Sequence, residues 1–179
     1  MSERPYRLGR RQASVDRTAA SILAAARELV AAGSAASVGE IARRAGVSRI
    51  TVYNRFGSRT GVLQALAPLP EKPIDPLGTP RELLQRRLVE ACSRWATDPS
   101  LFRHLPQGPD DRGSASNREL AERLAVADQL RPGCSIKEAE DVIGVLTSFE
   151  VFDRLHRDGR RTTAAVGEVL WRFAAGILA

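Results

Sequence analysis

The chain has 179 residues, 43% of them hydrophobic and 27% charged, with a formal net charge of +6. That length supports one fair-sized core or a small domain joined to a larger one. No apolar run reaches the roughly eighteen residues of a membrane span, and the basic start "MSERPYRLGRRQ" lacks the apolar stretch of a secretory signal, so a cytoplasmic location is expected.

The charge is unevenly spread. Residues 1–60 hold eleven arginines and no lysine against four acids, whereas residues 61–179 hold sixteen basic and seventeen acidic residues. An excess confined to the first third fits a polyanion partner, nucleic acid or an anionic membrane, and fits equally a solvated basic face.

Strand signals are nearly absent, and the predicted fold is all-α. Residues 1–13 read as a basic flexible arm. A helix is predicted from Ser14 to Ala32, with Ile22, Ala26 and Leu29 on one face and Gly33 as its stop. Ser37-Val-Gly-Glu40 is a capping box that opens a short helix through Arg44. Ser48 caps a third helix to about Phe56, and Ser58 opens a fourth with Val62, Leu63 and Leu66 before Pro68. Residues 14–67 thus form one small domain. Residues 68–80, "PLPEKPIDPLGTP", hold five of the ten prolines and read as a linker.

The second domain is expected over 81–179. Thr79-Pro-Arg-Glu82 joins a capping box to proline at the first helical position, and the helix it opens ends near Asp98. A short helix is expected within 101–105 and an exposed loop over 106–117. Helices follow at 118–130, at 135–157 behind the capping box Ser135-Ile-Lys-Glu138, and from Thr162 or Thr163 almost to Ala179. The last two are apolar around more of their circumference than one buried stripe of about 100° requires. A second subunit covering the extra face, giving a homodimer through helices 135–157 and 162–178, accounts for this.

Catalytic patterns are missing. There is no GxGxxG, P-loop, GxSxG or HExxH. Cys92, Cys134, His104 and His156 match no metal spacing, and the thiols read as reduced. No catalytic residue, cofactor or metal is expected. Trp95, Phe102, Phe149 and Phe152 either line a ligand cavity or form plain core.

The stretch "AGVSRITVYNRFGSR" carries the functional reading. Two short helices flank Gly46, a residue that accepts the positive φ of a tight turn, and Ile41, Ala42, Val47 and Val52 can pack the pair together. This is a helix-turn-helix pattern with the second helix presented outward. On that helix Arg49 suits a guanine edge, while Ile50 or the Thr51 methyl suits a thymine methyl. Ser37, Ser48, Thr51 and Tyr53 offer hydroxyls, Asn54 suits adenine or backbone, and Arg55 and Arg59 suit phosphates. No acid occurs between Glu40 and Glu71.

Residues 37–66 resemble the DNA-binding domain of the TetR family of bacterial transcriptional regulators. The resemblance rests on Ile41-Ala42, Ala45-Gly46-Val47-Ser48, Thr51, Tyr53, Phe56, a basic residue at 59, and Leu63. It implies an all-helical homodimer on double-stranded operator DNA, with a small-molecule effector in the carboxy-terminal domain. Position 39, where some family members carry a base-reading side chain, is glycine here. The expected function is a ligand-responsive repressor. The alternatives are a ligand-binding or protein-interaction module that keeps a vestigial head, or an enzyme on an all-α fold.

Overall fold

The structure is a computed structural model that describes residues 5–67, 77–105 and 111–179, with side chains from 15 in the first stretch and from 113 in the last. Every named element among the described residues is helical, and the β-type pairing there is a single antiparallel bridge between Leu130 and Leu178. The chain is all-α. It divides into two compact units, Met1–Pro68 with Ser100–Pro106, and Leu69–Pro99 with Gln107–Ala179.

The first unit, the head, holds α1 (Pro5–Ala31), α2 (Val38–Ala45), α3 (Arg49–Phe56) and α4 (Arg59–Leu66). Its core gathers Ile22, Ala26 and Val30 of α1, Ile41 of α2, Val52 of α3 and Leu63 of α4. The valine, leucine and isoleucine side chains among these, taken fully out of water, each contribute about 1.5–3 kcal/mol. The first helix begins at Pro5 rather than Ser14, so residues 5–13, expected as part of a flexible arm, are helical. Proline suits the first helical turn, and the arginines and glutamine that follow are good helix formers. Residues 1–4 lie outside the described residues, as do residues 68–76 of the expected linker.

The short α6 (Pro99–Phe102) follows directly on the long α5 (Pro80–Thr97), yet Ser100–Pro106 group with the head. Leu101 enters the head core and Leu105 packs against it. A boundary drawn between 67 and 81 therefore misses a segment of the head that arrives from further along the chain.

The second unit, the body, holds α5 (Pro80–Thr97), α7 (Asp111–Val126), α8 (Ile136–Leu146), α9 (Phe149–Asp153) and α10 (Thr163–Ala174). Three expectations change here. Residues 111–117 are the start of α7 and not loop, because the Asn117 side chain is buried and accepts from Arg87 Nε at 3.3 Å and Nη2 at 3.2 Å. Pairing of this kind is what makes two buried polar groups tolerable. The helix expected over 135–157 is interrupted at Thr147-Ser148. Thr147 Oγ1 donates to the Ile143 and Gly144 carbonyls, and Ser148 then caps α9. Hydroxyl side chains compete with the helix for backbone groups in this way. The Thr147 carbonyl released by the break accepts Trp95 Nε1–H at 3.1 Å. Beyond α9, Arg154–Asp158 form a π-helical turn. The last helix stops at Ala174 rather than near 178, since Ala179 N–H donates to Gln129 and the Ile177 carbonyl accepts from Arg131.

Candidate nucleic-acid interface

The head presents α3 through a locally specified frame. Ser37 accepts Glu40 N–H, and Glu40 accepts Ser37 N–H at 2.9 Å, completing the capping box at the start of α2. The Ser37 hydroxyl and backbone N–H hold the Glu40 carboxyl below the usual carboxylate range. Gly46 closes α2 at φ 68°, ψ 30°, and Val47 N–H donates back to Ala42. A side chain at 46 would meet open space but would sit in a left-handed conformation that only glycine adopts freely. Ser48 then starts α3, its Oγ accepting Thr51 N–H at 3.1 Å and lying 2.9 Å from Thr51 Oγ1.

The two faces of α3 differ sharply. Val52 is fully buried and Phe56 packs on the head core. Ile50 is 70% exposed and Tyr53 51%, although each is large and apolar enough to be core. Arg49, Asn54 and Arg55 are exposed beside them, while Thr51 is half-buried. An outward face of isoleucine, tyrosine, asparagine and arginine is poorly explained by folding alone, and it carries the groups a base edge and a phosphate require. Ser37 is exposed at the start of α2, and Ser48 at the start of α3.

Arg59 stands differently. It is half-buried, and its Nε donates to the Ala35 carbonyl at 2.8 Å, tying the start of α4 to the loop before α2. Arg44 is engaged as well, with Nε 2.6 Å from Glu28. The sequence reading missed Gly61. In the first turn of α4, Ser58 Oγ accepts Gly61 N–H, and a Cβ at 61 would run into the Phe56 backbone carbonyl. Glycine is what lets α4 close against the end of α3. Its one sequence signal is a poor helix former inside a helix.

Residues 22–66 match the profile of a family described as bacterial regulatory proteins, tetR family. The amino-terminal domain belongs to the TetR family. The chain therefore carries the DNA-binding part of a bacterial transcription regulator. Two solved structures of NalD, the secondary repressor of the MexAB-OprM multidrug efflux pump in Pseudomonas aeruginosa, share its fold. The native form is 21% identical with a TM-score of 0.65, over 93% of this chain and 98% of that one. The other is 24% identical with a TM-score of 0.62, over 92% and 96%. No curated protein matches the chain.

In the body, three of the four aromatic ligand candidates meet. Trp95 and Phe149 pack edge to face at 5.6 Å between centroids, and Phe149 lies 6.5 Å from Phe152. Phe149 and Phe152 are buried. Phe102 belongs with the head residues instead. A separate groove of about 530 Å³ runs along the outer face of α5, lined by Leu77, Glu82, Gln85, Arg86, Val89 and Glu90. Cys92 is buried, which pushes its thiol up to about 11, and Cys134 is also a free thiol. Among the described residues no acid, histidine and cysteine group is arranged to hold a metal, and no helix is long and apolar enough to cross a membrane.

Proposed function

We propose that the protein is a dimeric, ligand-responsive repressor that docks α3 in the major groove of an operator and releases it when a small molecule binds the body. The observation that carries this reading is the outward face of α3, where Ile50 and Tyr53 stay exposed among Arg49, Asn54 and Arg55. Arg49 reads a guanine edge, Ile50 meets a thymine methyl, and Tyr53 and Arg55 meet phosphates. Ser37, Ser48, Thr51 and Asn54 complete the contact. Arg59 acts as much by holding the frame as by its charge, given its bond to Ala35. The fold shared with NalD, itself a repressor, supports the direction of regulation.

Binding measured by fluorescence anisotropy on an operator selected from genomic fragments tests the docking. Affinity is expected to fall steeply with salt, about 10³-fold or more between 50 and 200 mM if six or more phosphates are met. Arg55→Ala weakens all sequences alike, whereas Arg49→Ala costs about 1–3 kcal/mol at one base pair. If both variants bind the selected operator as tightly as the unmodified protein, the assignment of α3 fails.

Two exposed apolar side chains in the body support the dimer. On α8, Ala139, Ile143 and Leu146 are buried while Val145 is 58% exposed; on α10, Val166, Leu170 and Ala174 are buried while Phe173 is 58% exposed. A second copy laid against these outer faces covers them and pairs two heads for a two-fold operator. Phe173→Glu is expected to halve the mass seen by light scattering. A mass unchanged at micromolar concentration would move the interface elsewhere. The effector acts by binding the DNA-competent and released states unequally.

A further inference from the structure

Gly39 lies in the first turn of α2, half-exposed, and a Cβ there would stand 2.9 Å from Arg49 Nη2, 3.1 Å from Nε and 3.2 Å from Cζ. The guanidinium of α3's first residue therefore rests in the space that any other residue type at 39 would fill. The backbone at 39 is not left-handed, so the conformation makes no demand for glycine, and helix propensity argues against it. What glycine supplies is room. Among the described residues the Arg49 side chain makes no hydrogen bond or ion pair, so its N–H donors stay unspent while the α2 backbone bounds its position.

We infer that Gly39 is a specificity-determining position that acts through Arg49, setting the direction in which the guanidinium fork meets a base edge. This rests on reading α3 as the groove-facing helix. Bidentate recognition needs a planar fork held near its final orientation, and a side chain already confined by its neighbours loses less freedom on binding. A methyl at 39 displaces Arg49 from the α2 backbone without touching the core. The three nearest atoms it would meet all belong to the far end of that one flexible side chain.

The experiment selects bound sequences from a random double-stranded library with the full-length protein, Gly39→Ala, Arg49→Lys, Arg49→Ala, and Gly39→Ala combined with Arg49→Ala. The unmodified protein enriches a motif with a guanine preferred at one position. Gly39→Ala keeps the rest of the motif and lowers that one preference about tenfold, with a thermal midpoint no lower than before. Arg49→Lys, which keeps the charge and removes the fork, lowers the same position. In the Arg49→Ala background Gly39→Ala changes nothing further. An unchanged preference in Gly39→Ala overturns the inference, as does a loss spread over all positions or an equal change in the Arg49→Ala background. A selection that enriches no motif with the unmodified protein removes the DNA reading itself, and this inference with it.

Discussion

Gly61→Ala is expected to unfold the head, or to leave it so weakened that DNA binding is lost at physiological temperature. The new methyl would overlap the Phe56 backbone carbonyl oxygen, and that oxygen belongs to the last turn of α3, which has no flexible end to swing aside. Relief requires α4 to move away from α3, which opens the core around Val52, Val62 and Leu63. Overpacking inside a well-filled core costs about 1–3 kcal/mol, and a backbone collision falls at or beyond the top of that range. Gly46→Ala makes a useful contrast. It imposes a left-handed φ on alanine but meets no neighbour, so its cost is about 1–2 kcal/mol. Amide hydrogen exchange checks both: Gly61→Ala loses protection throughout α3 and α4, while Gly46→Ala keeps most of it. Full protection of α3 in Gly61→Ala would mean that the close approach of the two helices is misassigned.

Phe152→Ala is expected to be the matching lesion in the body. The ring is 1% exposed, stacks on His156 at 5.1 Å and lies against Phe149. Removing a buried phenyl group costs about 3–5 kcal/mol through lost burial and the cavity left behind. In a unit of this size that lowers the thermal midpoint by about 10 °C or more. The loss of exchange protection should centre on α5 and α9, leaving α2 and α3 protected. A midpoint unchanged within about 2 °C would contradict a packed aromatic core. In that case Trp95, Phe149 and Phe152 would be better read as the wall of an effector cavity.

The head was legible because its signals are local. A serine and a glutamate three residues apart predict an N-terminus, and at Ser37 and Thr79 both halves of the exchange are present. At Ser135 the serine accepts Glu138 N–H and opens α8 as expected. The turn glycine, the apolar spacing of Ile41 and Val52 and the acid-free stretch after Glu40 are likewise readable without knowing any distant contact. The outward set on α3 followed from the same pattern, since the residues that face the core are recognisable and the remainder must point away.

What the amino-acid sequence determined by itself, then, is the helical class, the caps, the turn and the identity of the outward residues on α3, all set by groups a few positions apart. Tertiary structure decided where α7 begins, because Asn117 finds Arg87 thirty residues away. It decided that Trp95 would take the carbonyl freed at Thr147 and that Leu101 would join the head core. It also decided that Gly61 leaves room for a carbonyl and Gly39 room for a guanidinium. Such contacts join groups on different elements, and a glycine's missing side chain carries no sign in the sequence of what fills its place.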